Sequence, residues 1–256
     1  MKSIASSFLL AFSKYSCFPK SNIKPDKENA KYILIFIPIV GVIIGICLYF
    51  WGEAWPYLCN YAILPAVVGA VLPSLISGCS HMEGFVRTAD ALSAHKSRER
   101  KLEILNESQG GYFAILVCVI YFLLLLGIWS EIPIEGITIL SMGFIISRSL
   151  AGLSVLLLTH TPDSRCDAYV PDSKTAKAVE MIILTLIACA CSYYMVSLNA
   201  EVGLACVIGA LVTFVYYWFI SYKHFGGITE DCFNFFIQLC EVIVPLAAIF
   251  AYKKWW

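Results

Sequence analysis

Residues Tyr32 to Trp51 read YILIFIPIVGVIIGICLYFW, twenty positions without a charged side chain. Crossing roughly 30 Å of hydrocarbon at a rise of about 1.5 Å per residue takes about 20 apolar residues, so this stretch is long enough for a membrane helix. Working outward, the same reading recurs. After a short turn at Glu53, Ala54 to Cys79 is long enough to tilt or to be broken at Pro56, Pro65 and Pro73. Further spans follow at Tyr112 to Trp129, about Gly136 to Thr159 with Arg148 inside it, Met181 to Ala200, Val202 to Ser221, and Cys232 to Tyr252, which encloses Glu241. Composition agrees: of 256 residues 59% are hydrophobic and 14% charged, against roughly a quarter charged in a soluble domain. The expected fold class is therefore all-α, a polytopic integral membrane protein of about seven transmembrane helices, in a single domain over residues 1–256. Ile4 to Phe12 is too short to span and no small-residue cleavage site follows it, so it reads as an interfacial or re-entrant helix rather than a signal peptide.

Eighteen positive and 18 negative side chains cancel, which gives no sign of nucleic-acid binding; their placement is more telling. Fifteen Lys and Arg fall in Met1 to Lys31, Ser80 to Gly111, His160 to Ala178 and the loop after Ser221, while the loops around Glu53, Ser130 to Glu135 and Glu201 carry none. Positively charged loops stay in the cytoplasm, so the expected location is the cell (inner) membrane, multi-pass, with the N-terminus cytoplasmic. Lys253 and Lys254 are a mild exception. The eleven cysteines lack metal or redox spacing and read as small buried hydrophobes in a reducing compartment.

Two polar segments, 80–111 and 222–231, are expected as cytoplasmic loops that carry the site. If His81 to Asp90 is helical, Glu83, Arg87 and Asp90 share a face at i, i+4 and i+7. That face suits a hard divalent cation held by oxygen ligands, or equally a solvated helix with a Glu83–Arg87 ion pair. Arg148 and Glu241, inside spans, need partners because a charge near the bilayer centre costs several kcal/mol unless paired or hydrated. They either pair with each other or meet a phosphate and a polar cavity. His81, His95, His160 and His224 lie in or beside the loops, without zinc spacing.

Four elements in order make the chain resemble the cobalamin synthase family, the adenosylcobinamide-GDP ribazoletransferases. Ile37-Pro38 with Gly41 and Gly45 is similar to its first span, after a Phe18-Pro19 near the start. His81 to Asp90 followed by Ser97 to Gly111 looks like its central signature, Ser147-Arg148 like its intramembrane Ser-Arg pair, and Gly226 to Asp231 with Glu241 like its Gly-Gly-rich loop. The resemblance implies transfer of the adenosylcobinamide phosphoryl group from adenosylcobinamide-GDP to α-ribazole or its 5′-phosphate, with release of GMP. It implies Mg²⁺ held by Glu83, Asp90, Asp231 and Glu107, catalytic Asp90, Asp231 and His81, and substrate contacts from Arg148, Arg87, Glu241 and Ser108. The lipid bilayer is an expected partner and so is a second copy of the chain, while nucleic acid is not.

Departures fall on acidic positions. Where the family pattern has aspartate this chain has Glu83, Arg87 and Glu107, and where it has glycine before Asp231 it has Glu230. A guanidinium can never ligate a cation, so either Arg87 stands in the metal's place or the chain is an impaired relative serving as a membrane scaffold. A small-solute transporter is the rival from another class, but no inverted repeat supports it.

Overall fold

A computed structural model describes residues 2–17, 29–58, 63–107, 111–162 and 164–253. The elements in order are α1 (Lys2–Tyr15), α2 (Ile33–Leu58), α3 (Ile63–Ile76), α4 (Ser80–Ser93), α5 (Arg98–Asn106), α6 (Tyr112–Glu131), α7 (Ile134–Leu157), a 3-10 helix (Arg165–Tyr169), α8 (Lys174–Leu198), α9 (Ala200–Ile220), a π turn (Ser221–Phe225) and α10 (Glu230–Tyr252). Among the described residues six helices, α2 and α6 to α10 (α9 together with the π turn), are long and apolar enough to cross a membrane, and α3 with α4 makes a seventh if that bent pair is one span. In lipid an unsatisfied backbone group costs several kcal/mol, which is why apolar runs of this length close all their hydrogen bonds internally as helices.

α7 lies at the centre, packed on α2, α8, α9 and α10. Its sequence is small and apolar on all sides, and residues from Gly136 to Leu156 are mostly buried. α2 lies close against it: a Cβ at Gly41 would fall 2.5 Å from the Phe144 carbonyl oxygen, and one at Gly45 would fall 3.1 Å from Ser141. Without a hydrophobic force between helices in lipid, such small-residue seams supply the contact. The outward faces of α6, α8 and α9 expose Leu116, Leu123, Ile182, Leu186, Leu211 and Val215. A continuous apolar exterior of this kind belongs in a lipid environment. On α1, Leu10, Ala11 and Tyr15 are buried while Ile4, Phe8 and Leu9 are exposed, the two-sided pattern of an interfacial helix.

The second expected span is corrected. α2 runs past Glu53 to Leu58, and α3 has only 14 residues, about 21 Å long. Glu53 projects outward at the end of the apolar run, where a carboxylate need not interrupt the backbone ladder. α3 still returns antiparallel to α2, because Trp51 Nε1 donates to Pro65 O at 3.3 Å near its start and Cys17 N donates to Ile76 O at 2.8 Å at its end. Gly78 and Cys79, both at positive φ, then turn the chain by 94° into α4.

The expected loop 80–111 is corrected too. Most of it is the two helices α4 and α5, and α4 is half buried because His81, Gly84, Phe85, Thr88 and Ala89 form a stripe packed on α10. The expected loop 222–231 is mainly the π turn that prolongs α9 and the first turn of α10. α1, α4, α5, residues 158–162 and 164–173 and the start of α10 all meet at one end of the bundle, whereas the Lys253–Glu131 ion pair sits at the other.

Gly41→Leu should lower the thermal midpoint of the detergent-solubilised protein by several degrees, because the backbone of α7 cannot yield and overpacking costs about 1–3 kcal/mol. Gly127→Ala, at a position with nothing within 4 Å, should leave the midpoint level or raise it. Equal midpoints for the two variants would refute the close seam.

Candidate functional site

The site is built at the N-terminus of α10. Gly226 takes φ 82°, and Gly227 lies so close to residues 159–161 that a Cβ would fall 2.8 Å from the His160 carbonyl carbon. The two segments are stitched there by Ile228 N to Thr159 O at 3.0 Å and Thr161 N to Ile228 O at 3.2 Å. Thr229 caps α10 by accepting from Cys232 N at 3.1 Å, the usual device for satisfying a first-turn donor. Glu230 and Asp231 are thereby held in the first turn, beside the 3-10 helix that carries Arg165.

Asp231, Asn234, Gln238 and Glu241 follow at i, i+3, i+7 and i+10, one stripe along α10. At its upper end the stripe faces α4. Arg87 Nη2 lies 2.7 Å from Glu83 Oε1, and its Nη1 lies 3.9 Å from Asp231 Oδ1. His81 Nδ1 donates to Asn234 Oδ1 at 2.8 Å. Two polar cavities open here, of about 180 and 190 Å³. The first is lined by Lys14, Tyr15, Glu83, Arg87 and Asn234, the second by Leu102, Leu105, Asn106, Thr161 and Ser164, and both share Arg165, Glu230 and Asp231.

Lys14 reaches the first cavity from α1, pairs with Glu230 at 2.5 Å and also donates to Tyr169. Burial pulls its pKa down, but the Glu230 carboxylate and Tyr169 more than offset that, so it stands above the ordinary lysine value and the ammonium persists through neutral pH. Burial pushes the Tyr169 hydroxyl up to about 12 and the Cys166 thiol likewise to about 12, so both stay protonated.

Deep in the bundle the stripe ends on a buried ion pair. Arg148 is fully buried and its Nη2 donates to Glu241 Oε1 at 2.9 Å. Its Nη1 donates to Phe144 O at 3.2 Å and Ser147 Oγ at 3.3 Å. The second Glu241 oxygen accepts from Tyr121 at 3.2 Å and from the Gln238 amide at 2.7 Å. The adjoining space is about 10 Å³, room for about one water and not for a phosphate. Of the two readings the sequence left open for Arg148 and Glu241, the structure shows the pair: each answers the other's charge.

Other expected residues are placed as follows. Glu83, Arg87 and Asp231 come together. Asp90 accepts from Gly111 N at 3.0 Å, and Glu107 pairs with Arg100 at 3.0 Å on α5. His81 is fully buried and stacked on Tyr15 at 5.4 Å, so it is a packing and hydrogen-bonding residue of the α4–α10 seam rather than an open base. Ser108 lies outside the described residues. The expected Mg²⁺ ligands are not assembled: among the described residues no three His, Cys, Asp or Glu side chains group to hold a metal. The residues do not fit that ion, because Arg87 lies between Glu83 and Asp231. At about 4–6 Å and an effective dielectric near 20, a fixed positive charge opposes a divalent ion by about 5–8 kcal/mol before relaxation. Lys14 and Arg165 were missed in the sequence, since each counts there only toward the charge of its segment.

A family model described as cobalamin-5-phosphate synthase matches residues 7–249. A protein of Lachnoclostridium phytofermentans is 31% identical over 96% of this chain and 94% of its own length. Relatives in Clostridioides difficile, 29% identical over 88% of this chain and 89% of their own length, and in Clostridium botulinum, 26% over 95% and 96%, are similar. All three bear the name adenosylcobinamide-GDP ribazoletransferase. No solved structure matches the chain.

Glu241→Leu should strip Arg148 of its counter-charge and cost about 3–5 kcal/mol, seen as loss of folded protein in detergent. The double replacement Arg148→Met with Glu241→Leu should recover it. A double variant as poorly folded as the single would show that Arg148 does more than pair.

Proposed function

The chain belongs to the cobalamin-5-phosphate synthase family, and on that premise we propose that it is an adenosylcobinamide-GDP ribazoletransferase acting in cobalamin biosynthesis. The observation that carries the reading onto this chain is the meeting of two polar cavities at Asp231. A transfer between two large substrates needs two chambers that share one reacting centre, since holding both partners in line converts a bimolecular step into an effectively unimolecular one.

The hydroxyl of α-ribazole or its 5′-phosphate attacks the cobinamide-linked phosphorus of adenosylcobinamide-GDP. A new phosphorus–oxygen bond forms, the bond to the GMP oxygen breaks, and GMP departs with the electron pair. The chamber lined by Lys14 and Arg87 takes the diphosphate of the donor. The chamber under α5 takes the acceptor, its apolar floor of Leu102 and Leu105 meeting the base and its Asn106, Thr161 and Ser164 meeting hydroxyls. Asp231, common to both, accepts the hydroxyl proton, and Arg165 beside it faces the charge that grows on the phosphoryl oxygens. Transfers of this kind run mainly on positioning and electrostatics.

The membrane is the cell membrane, and the end of the bundle that holds the cavities faces the cytoplasm. Support comes from the sequence asymmetry of fifteen Lys and Arg in the polar segments against none in the opposite loops and from the source of nucleotide-derived substrates inside the cell. A scaffold or transporter role draws nothing from these chambers, which open at one end of the bundle only.

Purified protein given both substrates should release GMP, and Asp231→Asn should reduce release at least 100-fold while leaving the thermal midpoint within a few degrees. Undiminished release would remove Asp231 from the reaction. A reporter fused after Ala94 should read cytoplasmic and one after Ile132 external; the reverse would overturn the orientation.

A further inference from the structure

The corner between Glu83 and Asp231, where the two acids face one cavity, is filled by a cation of the chain itself. Arg87 Nη2 is hydrogen-bonded to Glu83 at 2.7 Å, whereas its Nη1 stands 3.9 Å from Asp231, outside hydrogen-bond reach. A guanidinium has five N–H donors, so this arrangement orients Arg87 and still leaves donors for another anion. A divalent ion set beside it would meet a charge that cannot be discharged. A diphosphate in the same cavity nonetheless brings negative charge that must be met by opposite charge or aimed donors.

The lining supplies those donors from three separate elements: Lys14 from α1, Arg87 from α4 and Arg165 from the 3-10 helix. Tyr15, 1% exposed, packs into the same wall. The cations balance Glu83, Glu230 and Asp231, three against three, so none is stranded in a partly buried wall. Arginine suits the task because its planar fork matches phosphate oxygens in pairs.

We propose that this chain binds the diphosphate of its donor through Lys14, Arg87 and Arg165, fixed side-chain cations standing where a divalent metal would otherwise be. The proposal rests on the donor being the nucleoside-diphosphate ester named above. Glu83 and Glu230 hold Arg87 and Lys14 in position, and the incoming phosphate oxygens share or take over those contacts.

The test uses inorganic pyrophosphate as probe, titrated calorimetrically into the full-length protein in detergent. Binding should be present in EDTA and change less than threefold on adding Mg²⁺. Arg87→Gln and Arg165→Gln should each weaken it at least tenfold in EDTA, the second at an exposed position where folding is not at risk. Arg87→Asp should lose binding in EDTA and regain it with Mg²⁺. The cation clamp is overturned if the unaltered chain binds pyrophosphate only with Mg²⁺, or if both glutamine variants bind as the parent does. GMP release measured alongside separates the two claims. Release that needs Mg²⁺, without binding in EDTA, rejects the clamp and keeps the transferase. Binding in EDTA that is lost in the variants, with no release from the true substrates, keeps the clamp and rejects the donor.

Discussion

A fully buried guanidinium in a membrane bundle has one tolerable arrangement, an opposite charge within hydrogen-bond reach and acceptors for its remaining donors. Arg148 finds the opposite charge in Glu241 and acceptors for Nη1 in Phe144 O and Ser147, while its Nε has no partner among the described residues, and the pairing fixes how α10 is rotated against α7. Because Asp231, Asn234 and Gln238 lie on the same stripe as Glu241, fixing that rotation also aims the first turn of α10 at α4. The cavities at the end of the bundle are therefore set by an ion pair three helical turns below them.

Above the pair, the α4–α10 seam is mixed in character. Phe85 stacks on Phe235 at 5.3 Å, His81 bonds to Asn234, and Gly84 is so close to Asn234 that a Cβ there would fall 2.5 Å away. Packing supplies the contact, and the polar partners fix its register. A protein whose substrates carry several phosphates thus keeps Lys14 and Arg87 paired with Glu230 and Glu83 at the chamber wall, so that both stay oriented.

Much of the fold was legible because a long apolar run has few alternatives in lipid, and six of the seven expected spans begin or end within two residues of a helix boundary. Ala54 to Cys79 was misjudged since a proline permits a break without saying where it falls, and the segment 80–111 looked like a loop because its polar face hides an apolar stripe of period 3.6. For the site, Glu83, Arg87 and Asp231 were visible as motif positions, and their meeting followed the resemblance. Lys14 and Arg165 carried no local signal: one ends an amphipathic helix, the other sits in a basic loop, and only the folded chain brings them to one wall. Asp90 and Glu107 went the other way, drawn off by Gly111 N and Arg100, neighbours that spacing cannot rank.

The ion pair between α7 and α10 joins residues 93 positions apart in the chain. At a synthesis rate of about 5–20 residues per second, Arg148 is added to the chain roughly 5–20 s before Glu241. Over that interval α7 carries a bare cation, and burying it in hydrocarbon is unfavourable until its counter-charge arrives. The order of synthesis therefore makes α7 a late-settling helix, whose buried cation is answered only once α10 has been made. The same helix delivers Asp231, so a nascent chain acquires its complete chambers only with the span that also neutralises Arg148.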